Sequence, residues 1–235
     1  MSDTDSFIDE VTEEVRRDRL FAMMKRYGWI AVVIVLLIVG GAAYNEVSKA
    51  RARSNAEALG DDILAALQNN DSALRAESLG AISAPNPESA AIVTLLRANE
   101  LVASGDAEQA AEALNALTAQ SDVPQIYRQI ARFKALSAQD TTLDIAARRD
   151  GYAALAIPGG PLRLLAEERL ALLDVEAGDT DAALERLEAI LLDAETGNGL
   201  RRRATGLLIA LGGDMPAAPV SLGASTADDT RLTGQ

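Results

Sequence analysis

Residues 95–117 read LLRANELVASGDAEQAAEALNAL, and residues 165–190 read LAEERLALLDVEAGDTDAALERLEAI. Superposing Gly105 on Gly178 pairs Ala98 with Ala171, Val102 with Val175, Ala110 with Ala183, Leu114 with Leu187 and Leu117 with Ile190. Each copy reads as two helices around a Gly-Asp turn. A small residue in the first helix allows close approach, and a second alanine seats the returning helix. In that returning helix Ala183, Leu184, Leu187, Ile190, Leu191 and Ala194 form an i, i+3, i+4 stripe. A lone helix pair leaves such a stripe half uncovered, so units of this kind stack. The separation of the two glycines slightly exceeds two ~34-residue units. Residues 124–156 carry two further helical patterns and supply a degenerate middle unit.

Outward from these copies, region 84–211 alternates apolar helical patterns with punctuation at Pro85-Asn86-Pro87, Asp122-Val123-Pro124, Pro158-Gly159-Gly160-Pro161 and Gly197-Asn198-Gly199. No run alternates as a strand would, so the expected fold class is all-α. Leu200 to Leu211 reads as a helix capping the stack. Residues 212–235 turn to Gly, Ala, Pro, Ser and Thr with little to bury, and are expected to be a disordered tail. Residues 46–83 begin with proline-free helix formers and read as a membrane-proximal helical segment.

The run from Tyr27 to Asn45 carries no charge, and Ile30 to Val39 reads IAVVIVLLIV. At about 1.5 Å per residue it spans roughly 28 Å, close to a ~30 Å hydrocarbon core. The aliphatics contribute roughly −3 to −5 kcal/mol to insertion, less what Gly28, Gly40, Gly41 and Asn45 take back. Tyr27 and Trp29 at one end and Tyr44 at the other suit the headgroup level, with Ile30, Val35, Leu37 and Val39 in the apolar centre. A buried core helix would show a polar face, and a cleaved signal peptide would carry a shorter, more basic leader. The segment 27–45 is therefore expected to be an uncleaved transmembrane signal anchor. Arg16, Arg17, Arg19, Lys25 and Arg26 precede it, against Lys49, Arg51 and Arg53 after it, which favours a cytoplasmic N-terminus. Residues 1–26 then read as a cytoplasmic juxtamembrane helix, with Glu13 and Glu14 within reach of Arg17. The repeats lie outside the cytoplasm.

Composition narrows the function. The 235 residues hold 35 acids against 22 bases, for a charge of −13, with no cysteine and no histidine. Imidazole acid–base chemistry, thiolate nucleophiles and the usual zinc ligands are excluded. The acidic balance argues against nucleic-acid binding, which draws its affinity from Lys and Arg on phosphates. Adjacent carboxylates such as Asp61/Asp62 and Glu167/Glu168 diverge by about 100° on a helix and cannot converge on one substrate. Asp228 and Asp229 fall in the tail, and Gly159-Gly160 lacks the strand and lysine of a phosphate loop. Neither an enzyme nor a cofactor, metal or small-molecule substrate is expected.

What remains is protein recognition. Repeat grooves are lined by the first helix of each unit, and the register directs Asn99 and Glu168 into such a groove beside Leu95, Val102, Leu172 and Val175. Tyr127, Arg128 and Arg132 form an aromatic and basic cluster suited to an acidic or C-terminal peptide group. For each of these residues the competing reading is ordinary helix packing or a solvated helix face. Arg201, Arg202 and Arg203 are expected to pair with nearby acids such as Asp193 and Glu195.

The combination of EVTEEVRRDRL, KRYGW, a single anchor, IPGGPLRLLAEERLALLDVEAGD and GLRRRA resembles the tetratricopeptide-like family that includes the ancillary subunit of the bacterial SecYEG translocon. The resemblance covers residues 5–211. It implies a single-pass inner-membrane protein whose α-solenoid faces the periplasm and associates with the translocon, periplasmic chaperones or translocating chains. It carries over no catalytic residue. An accessory or assembly factor of another envelope complex, for outer-membrane assembly or cytochrome maturation, is the alternative. Most aromatic positions of the general tetratricopeptide pattern are absent here, and Arg97 and Asp174 stand where that pattern is apolar.

Overall fold

The computed structural model describes residues 3–215, except the side chains of residues 3–23, 27, 28 and 31. The side chain of Tyr27 and the part of the expected tail from residue 216 lie outside the described residues. All regular elements among the described residues are helices. The chain divides into two compact units, Met1–Asp61 and Asp62–Gln235.

The first unit is built on α1 (Asp3–Leu67), a single helix that runs through the expected juxtamembrane and membrane segments and into the first part of the membrane-proximal one. Gly40 and Gly41 do not break it, because no proline interrupts the hydrogen-bond ladder and neighbouring aliphatics favour the helix in an apolar medium. Trp29, Ile30, Val35, Leu37, Val39 and Tyr44 are exposed. A core helix of a soluble domain would be covered, whereas the apolar window of α1 has none of its residues buried. Among the described residues it is the helix long and apolar enough to cross a membrane, compatible with a single-pass anchor or a signal sequence.

The second unit holds α2 (Ser72–Gly80), α3 (Pro87–Ala103), α4 (Ala107–Ala119), α5 (Gln125–Ala138), α6 (Ile145–Ala153), α7 (Arg163–Glu176), α8 (Thr180–Leu192) and α9 (Asn198–Ala210). Side-chain caps set several starts: Asp71, Asn86, Asp106, Asp144 and Asp179 each accept from backbone N–H groups of the helix that follows. The two Gly-Asp turns are built alike. Gly105 and Gly178 adopt φ of +89° and +80°, and Asp106 N–H and Asp179 N–H reach back to the carbonyls of Leu101 and Asp174. Only glycine takes that conformation without strain.

The superposition of the two sequence copies is repeated in the packing. Ala98, Ala110, Leu114 and Leu117 are buried in one core, and Ala171, Leu187 and Ile190 in another with Leu200, Ala204 and Leu208 of α9. Between them Leu136, Tyr152, Leu155, Ala166, Leu170 and Leu173 join α5, α6 and α7. The middle unit is thus a full participant. Its second helix is short, and Gly151 meets α5 so closely that an added Cβ would lie 2.5 Å from Leu136 Cδ2. Packing also starts ahead of residue 84, since Ala76 of α2 shares a core with Ala91 and Ala98 of α3.

One local expectation changes. Ala194 does not continue the α8 stripe. Asp193 turns extended after Leu192, and Ala194 is exposed. Thr196 fills the place instead, its hydroxyl donating to the Ile190 carbonyl at 2.6 Å. The acid at Asp174, in a position the repeat pattern keeps apolar, is only 2% exposed. It is tolerated because Arg149 donates to it from α6 at 2.5 Å and Arg186 from α8 at 3.1 Å.

Candidate functional site on the first-helix face

In each pair one side of the first helix stays outside the core. On α3, positions 88, 92, 99 and 102 recur at helical spacing on that side, while Leu95 between them packs against the core. Ile92 and Val102 remain exposed there, as do Ile126 on α5 and Leu172 on α7. Hydrophobes left uncovered on equivalent sides of successive helices form an apolar strip.

Polar rungs cross this face from one first helix to the next. Tyr127 Oη donates to Glu88 Oε1 at 3.1 Å, and Lys134 Nζ donates to Asn99 Oδ1 at 2.6 Å. Arg169 of α7 lies over the Phe133 ring, 5.8 Å from its centroid. Arg203 of α9 makes two hydrogen bonds of 2.7 Å to the two carboxylate oxygens of Glu168. The hydrogen bond to Glu88, with burial second, pushes the Tyr127 phenol pKa up. The side chains of the rungs are held in place, and the apolar residues beside them are free to be covered.

Asn99, Tyr127 and Glu168, singled out from sequence, therefore share this face. Each is a rung rather than an open contact. Arg128 and Arg132 do not join Tyr127 in its rung: Tyr127 reaches Glu88, and neither arginine side chain makes a hydrogen bond or ion pair. Sequence reasoning missed the other halves of the rungs, Lys134 and Arg203. A signal existed: Asn99 to Lys134 and Glu168 to Arg203 are each 35 residues apart, one repeat period.

The arginine run is also placed differently from expectation. Arg203 takes Glu168, Arg201 donates to the carbonyls of Leu191 and Thr196, and Asp193 and Glu195 pair with Arg163. Glu167 and Glu168 point apart as expected, to Arg186 and Arg203. On another side of the unit, a groove of about 410 Å³ between α7 and α8 is lined by Arg163, Glu167, Arg186 and Asp193, whose charges pair within it. Among the described residues no three or more His, Cys, Asp or Glu side chains converge as metal ligands would.

Residues 23–149, more than half of the chain, match the family model described as a tetratricopeptide repeat-like domain. No curated protein and no solved structure matches the sequence. The match begins within α1 and runs through α2 to α5 into α6, and a repeat domain of this kind points to protein–protein interaction rather than to a catalytic family. With its paired helices, Gly-Asp turns and stacked cores, the chain belongs to the tetratricopeptide repeat-like domain family.

Proposed function

We propose that the chain is a single-pass bacterial inner-membrane protein that presents its repeat unit to protein partners in the periplasm. The anchor is residues 27–45, residues 1–26 are cytoplasmic, and residues 84–211 hold the main repeats. The observation that carries the reading is the strip of Ile92, Val102, Ile126 and Leu172 left exposed between polar rungs on the first-helix face. Such a surface fits an apolar peptide segment or helix: the strip supplies the burial and the fixed rungs supply register. Confinement to the bilayer raises the local concentration of the unit beside a membrane complex. The partners proposed are the SecYEG translocon and the periplasmic chaperones or translocating chains that meet there, supported by the resemblance of the anchor-flanking and repeat motifs.

Two measurements test the proposal. Reporter fusions at residues 20 and 120 are expected to read cytoplasm and periplasm, and the reverse result removes every partner named. Mild solubilisation should then co-purify translocon subunits, and Ile92→Glu combined with Leu172→Glu should abolish that recovery with helicity unchanged. Recovery of a different envelope complex in their place would transfer the function to it.

A further inference from the structure

The unit is acidic, and most of its described bases find a partner. Among the described residues, however, Arg128 and Arg132, one turn apart on α5, form no hydrogen bond, ion pair or ring contact through their side chains. Arg128 Nε is buried without an acceptor, a costly arrangement for a guanidinium. A shift of 35 residues lays the buried Ala131, Ala135, Leu136 and Ala138 of α5 on the buried Ala166, Leu170, Ala171 and Leu173 of α7 and identifies the counterparts of the two arginines. Arg128 corresponds to Arg163 on α7, and Arg132 to Glu167 on α7. Both counterparts are satisfied by the second helix of their own pair or the residues just after it. Arg163 takes Asp193 and Glu195, and Glu167 takes Arg186. On α7 these groups line the groove of about 410 Å³. At α5 the corresponding second helix, α6, stops at Ala153, and no carboxylate is supplied.

The α5 helix start adds to the positive character. Pro124 offers no side-chain cap and the first turn holds no acid, so the partial positive charge of the helix terminus is uncompensated beside Arg128. We infer that this side of α5 is a second docking surface, away from the first-helix face, that binds an acidic segment of a partner protein. The partner's carboxylates would take the place that Asp193 and Glu195 hold opposite Arg163. In a surface dominated by acids, anionic bilayers and nucleic acids are repelled as extended polyanions, while a short acidic segment can reach one local basic pair.

The test uses the full chain in detergent and a fluorescein-labelled peptide of alternating aspartate and serine, with its asparagine counterpart as the reference. Binding of the aspartate peptide is expected to exceed that of the asparagine peptide by about tenfold or more and to weaken with added salt. Arg132→Gln alone, at an exposed position, should reduce it several-fold, and Arg128→Gln with Arg132→Gln should remove it. Arg202→Gln on α9, another unpaired arginine, should leave it unchanged. Equal binding of the two peptides, or aspartate-peptide binding that survives Arg132→Gln undiminished, overturns the assignment. So does a tenfold gain on deleting residues 216–235, which would show that the chain's own Asp228 and Asp229 occupy the site.

Discussion

Asp174 shows how one residue departs from a repeat pattern without breaking the fold. Its carboxylate is nearly inaccessible, and arginines from the helices before and after α7 converge on it. Asp174→Ala leaves two arginines facing an empty site. Both are partly exposed and can rehydrate, so the expected loss is about 2 kcal/mol, below the full cost of breaking a buried pair. Thermal unfolding followed by circular dichroism reads it. The turn glycines make a matched pair of tests. Nothing lies within 4 Å of a Cβ built at Gly105 or Gly178, so alanine there meets only the backbone cost of positive φ. Each substitution should destabilise by about 1–2 kcal/mol, with asparagine milder, and unequal costs would show that the two turns are not equivalent.

Acid sensitivity is also set residue by residue. Hydrogen bonds from Arg148, with charge attraction after desolvation, hold the Glu176 carboxyl below its ordinary value. The backbone N–H of Glu195, then Arg163, does the same for Asp193. A depressed carboxyl binds its proton less readily in the folded chain than in the unfolded one. Its stabilising contribution is complete above the ordinary carboxylate range and is lost as pH falls through the lowered value. The midpoint of thermal unfolding should therefore drop between about pH 5 and about pH 3, and Glu176→Gln should flatten part of that slope.

At the scale of elements, α8 is held by burial of its apolar stripe. Leu187 is fully enclosed between α7 and α9. Leu187→Ala should cost about 2–5 kcal/mol, and Leu114→Ala on α4, its sequence counterpart, a similar amount, because both leave a cavity where packing cannot collapse. Urea unfolding of the two variants compares them directly. The paired values would be expected to diverge only if the middle unit buffered one end of the stack from the other. The middle unit itself was faint in sequence for a physical reason. Its first helix buries mainly alanines, Ala131, Ala135 and Ala138, and its second is closed by Gly151 against Leu136, so no strong stripe of large apolar residues marks it.

For the whole molecule, the property to test is whether α1 stays in a bilayer. Val35→Asp with Leu37→Asp places two charges at the centre of the apolar run, at about 2.5–3.5 kcal/mol each, which exceeds the favourable insertion of the segment. The variant should move from the carbonate-resistant pellet to the supernatant while the parent chain stays in the pellet. Processing of the parent after Ala43 would instead reveal a signal sequence.

The amino-acid order determined the helical class, the apolar helix near the N-terminus, the Gly-Asp turns and the equivalence of α3/α4 with α7/α8, because these follow from periodicity, hydropathy and φ preference, which are local. It also directed Asn99 and Glu168 toward one groove. Only the tertiary structure decided what those side chains touch. Lys134 and Arg203 reach them from 35 residues away, and Glu88 takes Tyr127 from 39. Arg163 rather than Arg201 takes Asp193, and Arg128 and Arg132 are left without a carboxylate. Ion-pair choice depends on the depth and angle at which neighbouring helices settle, and that is fixed by how tightly small residues such as Ala98, Gly151 and Ala171 let them approach.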